Sequence, residues 1–212
     1  MRKGIFAAVF AVVVLMVAGY IYREQLTSQA MAKLTEDMFV MEDKDEFDPG
    51  PALGSQFPGL RAVHRGSQIT LLDEFAGVNG TLVIASRSID WCPYCIRQLL
   101  QLQSYQQNFE NAGIGLLVIT YDQPYVQAAF TAKFDITIPL VSDLSALSFK
   151  TLGILNRDYE PGDAQYGIPY PGMIIVDPKG VIAGKLFLES YKARIDSGAA
   201  LTYARQSLGI SD

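Results

Sequence analysis

Several residue types are scarce in this 212-residue chain, and each scarcity removes a class of function. There are two cysteines and one histidine, His64. Two cysteines cannot staple a small disulfide scaffold. Joined by one histidine they cannot complete a four-ligand zinc site within a single chain, so no metal is expected. Lys and Arg number 17 against 22 Asp and Glu, a formal net charge of -5. No cationic surplus is left to neutralise phosphates, and nucleic acid is not expected as a partner. Charged residues make up only 18% while hydrophobic ones reach 50%, which excludes wholesale disorder and provides for a packed core. Neither internal repeats nor low-complexity tracts occur. The length suits one domain of ordinary size plus an appendage.

That appendage is N-terminal. Arg2 and Lys3 precede an uncharged run at residues 4–22, GIFAAVFAVVVLMVAGYIY, which as a helix would span about 28 Å, close to the bilayer core. Tyr20 and Tyr22 suit a membrane interface, and the basic terminus would stay cytoplasmic. The expectation is a single-pass transmembrane helix at 1–22, a juxtamembrane linker at 23–53 and a catalytic domain at 54–212 on the extracytoplasmic, periplasmic side. The alternative is a signal peptide cleaved near Ala30-Met31-Ala32, leaving a secreted or periplasmic domain. Both destinations permit disulfides. The acidic stretch at 41–51, MEDKDEFDPGP, reads as a solvated spacer.

Beyond residue 53, apolar runs alternate with helical periods, the pattern of an α/β domain with a central mixed sheet flanked by helices. Strands are expected at 68–72, 81–85, 115–120, 138–141, 173–177 and 181–188. Helices are expected at 93–111, 125–134, 143–152 and 195–208. Pro178-Lys179-Gly180 is a tight turn that makes the last two strands a hairpin.

Both cysteines fall in Trp91-Cys92-Pro93-Tyr94-Cys95, where a buried strand gives way to a helix. Pro93 suits the first helical turn, which has no use for its missing N–H. Cys92 then meets the unpaired N–H groups and positive dipole end of the helix, which favour a thiolate. Cys95, one turn further in, is expected to be the more buried thiol and to resolve a mixed disulfide formed at Cys92. A structural disulfide here would close a tiny loop and constrain the unfolded chain little. A zinc half-site shared in a dimer and an inactive domain are the other readings.

These residues carry a resemblance. WCPYC after a hydrophobic strand, GSQITLLDEFAG before it, IPYPGMIIVDPKG, and FLESY at 187–191 followed by Arg194 together resemble the thioredoxin-like superfamily, in particular its redoxin group of AhpC/TSA peroxiredoxin-like and TlpA-like proteins, over about residues 53–195. The resemblance implies a thioredoxin-like fold with no cofactor. It also implies a cis-proline facing the cysteine pair, placed at Pro171 with Pro169 as rival, and a substrate-binding rim of Trp91, Pro93, Tyr94 and Pro171. It implies protein thiols, disulfides or peroxides as reaction partners, besides the membrane contact expected of the N-terminal helix.

Departures from the pattern narrow the chemistry. Peroxiredoxins carry P-x-x-x-T-x-x-C; here the proline and threonine positions hold Ala85 and Ile89. The buried acid of thioredoxins is Ser86, and the glutamate common in TlpA-like proteins is Gln98. No acid at these places can take the proton of Cys95. Asp90 is expected to face solvent, Asp122 to shape its loop, and His64 to be structural or solvated rather than catalytic. The polar insertion at 156–167 could overhang the site. The expected function is thiol–disulfide oxidoreductase chemistry with Cys92 as nucleophile and Cys95 as resolving thiol. A peroxiredoxin-like thiol peroxidase and a non-enzymatic redox-sensing or assembly module remain as alternatives.

Overall fold

A computed structural model describes residues 2–70 and 72–211, with the side chains of residues 2–9 and 11 outside that description. The chain divides into two compact units, residues 1–36 and 37–212. The first is one long helix, α1 (Arg2–Leu34). It runs on through the residues expected to begin a linker.

Among the described residues no helix is long and apolar enough to cross a membrane. The expected single-pass anchor, and the extracytoplasmic placement that depended on it, are accordingly withdrawn. Arg2 and Lys3, whose charge oriented that reading, have side chains outside the described residues.

The second unit is built on a seven-stranded mixed sheet in the order β3-β2-β6-β5-β4-β7-β8. Its strands are β2 (Ala62–His64), β3 (Ser67–Ile69), β4 (Gly80–Ala85), β5 (Ile114–Thr120), β6 (Leu140–Ser142), β7 (Gly172–Val176) and β8 (Ile182–Phe187). β4, β5 and β6 are parallel, while β7 runs antiparallel to both β4 and β8. Every residue of β4 and β7 is buried, as central strands covered on both faces require. The helices are α2 (Pro93–Asn111), α3 (Pro124–Phe134), α4 (Leu147–Thr151) and α5 (Ser197–Ser207). α2 and α5 pack on each other and against β5 and β8. Leu117, Ile119, Phe149, Ile174 and Phe187 anchor one continuous core.

Two small elements escaped sequence reading. β1 (Phe39–Val40) and β9 (Arg194–Ile195) pair in parallel as a separate two-stranded sheet. β2 and β3 form a hairpin turning at Arg65 and Gly66, both at positive φ, where one longer strand at 68–72 was expected; Leu71 lies outside the described residues. His64 sits in β2, its Nδ1 2.9 Å from the Leu140 carbonyl oxygen and its ring edge-on to Phe75, a structural histidine as expected.

The acidic run at 41–51 is not a free spacer. It lies along the outer edge of β8, where strand N–H groups would otherwise be open to another chain. Asp43 accepts a hydrogen bond from Phe187 N at 3.1 Å, and Asp45 accepts one from Glu189 N at 2.8 Å. The buried Lys185 reaches Asp48 at 2.8 Å and the Pro49 carbonyl at 3.3 Å. Residues 54–57 continue the cover through bonds with Gly180 and Ile182.

Candidate active site

β4 delivers the chain to a loop at 86–91 and then to α2, so the strand-to-helix junction falls at the cysteine pair. The loop is shaped from below by Asp122, at the end of β5. Its carboxylate accepts from Ser88 Oγ at 2.7 Å and from Ile89 N at 2.9 Å, and Ser88 Oγ in turn accepts from Asp90 N at 3.0 Å. Burial pushes the Asp122 carboxyl up, against the lowering effect of these hydrogen bonds. Asp122 therefore shapes a loop, and Asp90 is exposed.

Cys92 is the N-cap of α2, in extended conformation, with Pro93 in the first turn. Its sulfur accepts from Cys95 N at 3.3 Å, so one orphan helix donor already points at it. Cys92 and Cys95 are joined as a disulfide with Cα atoms 5.3 Å apart. Both cysteines are 1% exposed. The expected contrast between an open Cys92 and a hidden Cys95 is absent, because Met38 and Phe39 from the β1 segment join Tyr94 in covering the pair.

Among the described residues, the side chain hydrogen-bonded to the Cys95 sulfur is a cation. Arg194, in β9, places Nη2 3.3 Å from Cys95 Sγ. Its Nε donates to Gln98 Oε1 at 3.1 Å, and its Nη1 donates to the carbonyls of Tyr191 and Ala193, both at 2.6 Å. Among the described residues none of the ion pairs involves Arg194. Burial first, and then the like charge of Arg87, lower its pKa to about 9, which still leaves it a cation at neutral pH. The position that holds glutamate in TlpA-like proteins is thus a neutral acceptor that aims a guanidinium at the sulfur. Sequence reading noted Arg194 without assigning it to the site. The available signal was the missing acid at Ser86 and Gln98, which left the second sulfur with no charged neighbour from the usual places.

A second buried arginine, Arg87, stacks between Trp91 and Tyr191, its guanidinium carbon 5.3 and 4.6 Å from the ring centroids. Its Nη2 lies 3.4 Å from Tyr159 Oη of the 156–167 insertion, which therefore does reach the site's margin. Trp91 is 41% exposed and donates from Nε1 to Tyr121 Oη at 2.8 Å. Tyr94 is buried edge-on against Tyr191. Pro93 is half-buried beside the cysteines in sequence.

Pro171 leads into β7, whose Gly172 pairs with Ala85 at the end of β4, so it stands at the end of the sheet from which the cysteine loop departs. The expected cis bond is not there: no peptide bond among the described residues is cis. The rival Pro169 is likewise trans, held extended by a bridge to Leu155, while Tyr170 N donates to the Ile154 carbonyl at 2.7 Å. That pairing draws the segment straight into β7 and leaves no tight turn for a cis bond to make.

Comparison with known proteins agrees with this architecture. A 1-Cys peroxiredoxin of Hordeum vulgare is 27% identical over 141 residues, covering 63% of this chain and 63% of its own length. A peroxiredoxin of Aeropyrum pernix is 21% identical, covering 65% of this chain and 55% of its own. The match thus spans less than two thirds of either relative. Among solved structures, a peroxiredoxin-like protein from Aquifex aeolicus superposes with a TM-score of 0.63 at 18% identity, covering 76% of this chain and 90% of its own. A thiol peroxidase from Chromobacterium violaceum does so at 0.61 and 20%, covering 80% and 93%. At these identities the superpositions establish the thioredoxin-like peroxiredoxin fold. The AhpC/TSA family model matches residues 53–185, well over half the chain and the whole span that carries the cysteine pair, and the chain belongs to the AhpC/TSA family.

Proposed function

We propose that the protein is a thiol–disulfide oxidoreductase working through Cys92 and Cys95. The observation that carries this reading is the pairing of an N-cap disulfide with a buried guanidinium at its second sulfur. A partner thiolate attacks Cys92 Sγ, the Cys92–Cys95 bond breaks, and Cys95 leaves as a thiolate beside Arg194. The helix N-terminus supports any thiolate on Cys92, and Arg194 supports the one on Cys95, so each sulfur has its own source of positive potential. A second thiol of the partner then displaces Cys92, leaving the partner oxidised and both cysteines reduced. Its proton goes to solvent or to a cysteine. Every step runs equally in reverse, so the same geometry serves reduction of a partner disulfide. Trp91, Pro93 and Tyr94 form the rim that receives the partner, with Pro171 at the same end of the sheet.

Thiol peroxidase activity is the second reading, favoured by the names of the curated relatives. Peroxide would oxidise the Cys92 thiolate to a sulfenic acid, and the Cys95 thiol would condense with it, releasing water and forming the disulfide. Against it stands the residue three before Cys92, Ile89, which is buried and offers no hydroxyl to a peroxide. The hydroxyl of Ser88, next to Ile89, is already committed to Asp122 and Asp90 N. The test is a Cys95→Ser variant, which should accumulate a mixed disulfide at Cys92 with a protein partner. Accumulation of a Cys92 sulfenic acid under peroxide, with no mixed disulfide, would favour the peroxidase.

A further inference from the structure

An exchange catalyst whose attacked sulfur is 1% exposed cannot meet a protein thiol without moving something. What covers the sulfur is identifiable. Met38 is itself 4% exposed and lies in one buried cluster with Cys92, Tyr94 and Cys95, with Phe39 packed against it. This cover is an extended piece of chain belonging to neither the main core cluster nor the seven-stranded sheet. It adds in parallel to β9, with Phe39 opposite Arg194 and Val40 opposite Ile195. Arg194 N donates to Met38 O at 2.7 Å, and Asp196 N donates to Val40 O at 2.8 Å. The strand it pairs with is the one that carries the guanidinium to Cys95.

We propose that residues 38–40 fill, in cis, the docking groove for the protein partner, and that an extended segment of that partner replaces them beside β9, with an apolar side chain where Met38 sits and its cysteine against Cys92. Three features fit such an exchange. The groove reads backbone through two N–H donors, which any extended chain can satisfy, so the exchange of one strand for another conserves those bonds. The pocket over the disulfide is lined by sulfur and aromatic carbon, which accepts varied apolar side chains; methionine is the adaptable filler of such sites. The cover is also only two paired residues long, so releasing it leaves β4, β7 and the core untouched. The pairing of the acidic run with β8 resumes only at Asp43 and limits how far the released segment can travel. The partner this groove fits is a protein or peptide with its cysteine in an extended, apolar stretch. The proposal rests on the thiol–disulfide reading.

The test uses the full chain. Reduction of the Cys92–Cys95 disulfide is followed by Trp91 fluorescence with two probes, dithiothreitol and fully reduced ribonuclease A, for the wild type and for Met38→Ser. Loosening the cover should raise the rate with reduced ribonuclease by about tenfold, equivalent to ~1.4 kcal/mol of closure removed. A second measurement traps Cys95→Ser as a mixed disulfide with a cysteine peptide of apolar sequence and reads amide hydrogen exchange. Val40, whose amide faces β9 in this register, should lose protection while Arg194 and Asp196 keep theirs, now bonded to the peptide. Unchanged rates in Met38→Ser, or continued protection of Val40 in the trapped complex, would overturn the inference while leaving the exchange reading intact. A wild type that ribonuclease thiols cannot reduce, but that turns over peroxide, would overturn both.

Discussion

Arg194 Nη2 lies 3.3 Å from Cys95 Sγ, in a pocket where neither group is more than 2% exposed. A buried cation with no carboxylate on it is costly in the oxidised protein. Reduction supplies a thiolate as its counter-ion. The pair should therefore favour the reduced form and make the disulfide a stronger oxidant than the cysteine spacing alone would imply.

The first prediction concerns that pair. Arg194→Gln should shift the equilibrium with glutathione about tenfold toward the disulfide, roughly 30 mV toward lower potential. Arg194→Lys should restore part of the shift, because a point charge replaces the charge but not the fork that also holds Gln98 and two carbonyls. An unchanged potential in Arg194→Gln, with the fold intact, would show that the contact has no part in redox poise.

The loop that presents Cys92 depends on Asp122. Asp122→Ala strips the acceptor from Ser88 Oγ and Ile89 N, both buried, and should cost about 2 kcal/mol in urea unfolding. Reactivity at Cys92 should change with it, because those bonds fix the residues immediately before the cysteine. Ile89 itself is fully buried, so the loop does not lose its anchor altogether.

Stability should vary with pH through buried carboxyls. Burial raises the pKa of both Asp122 and Asp143 above 3.8. A carboxyl with a raised folded pKa holds its proton more tightly folded than unfolded. Its stabilising effect is thus complete below about pH 4 and lost as pH rises through the folded value. Asp143→Asn removes one such group while its side-chain oxygen can still accept from Phe149 N, as Oδ2 does at 2.9 Å. The stability of Asp143→Asn relative to wild type should therefore grow as pH rises from 4 to 7. A difference independent of pH would contradict this.

Close approach across the sheet gives a further expectation. Gly172, directly after Pro171, pairs with Phe187 of β8, whose ring lies where a Cβ would be. Gly172→Ala should cost about 1–3 kcal/mol by overpacking, read as a fall in Tm. It should also disturb the Phe187 N bond to Asp43 that ties down the acidic run.

Much of this is legible in the sequence. α2 spans the residues its apolar spacing marked, and β4, β5, β7 and β8 fall within a residue or two of the apolar runs, because central strands and a capped helix write strong local patterns. The cysteine pair and its strand-to-helix setting were equally plain. What stayed hidden depends on distant pairing. β1 and β9 are two residues each, too short for any period, yet they bring Met38 over Cys92 and Arg194 to Cys95. The acidic run looked like spacer because its carboxylates act on backbone N–H groups about 144 residues away. α4 starts later than the expected 143 because Ala146, its N-cap, sits in the left-handed region, while Asp143 stays outside the helix and accepts from Phe149 N. The N-terminal apolar run reads as a membrane span in the sequence, whereas among the described residues no helix is long and apolar enough to cross a membrane.

The most direct test uses Trp91, the only tryptophan in the sequence, adjacent to Cys92. Reduced full-length protein is mixed in a stopped-flow instrument with hydrogen peroxide or with disulfide-scrambled ribonuclease A, and the fluorescence change on forming the Cys92–Cys95 disulfide is timed. The account predicts rapid oxidation by the protein disulfide and peroxide oxidation no faster than that of a free thiol. Peroxide oxidation far beyond a free thiol, with the protein disulfide inert, would contradict it and make the protein a peroxidase.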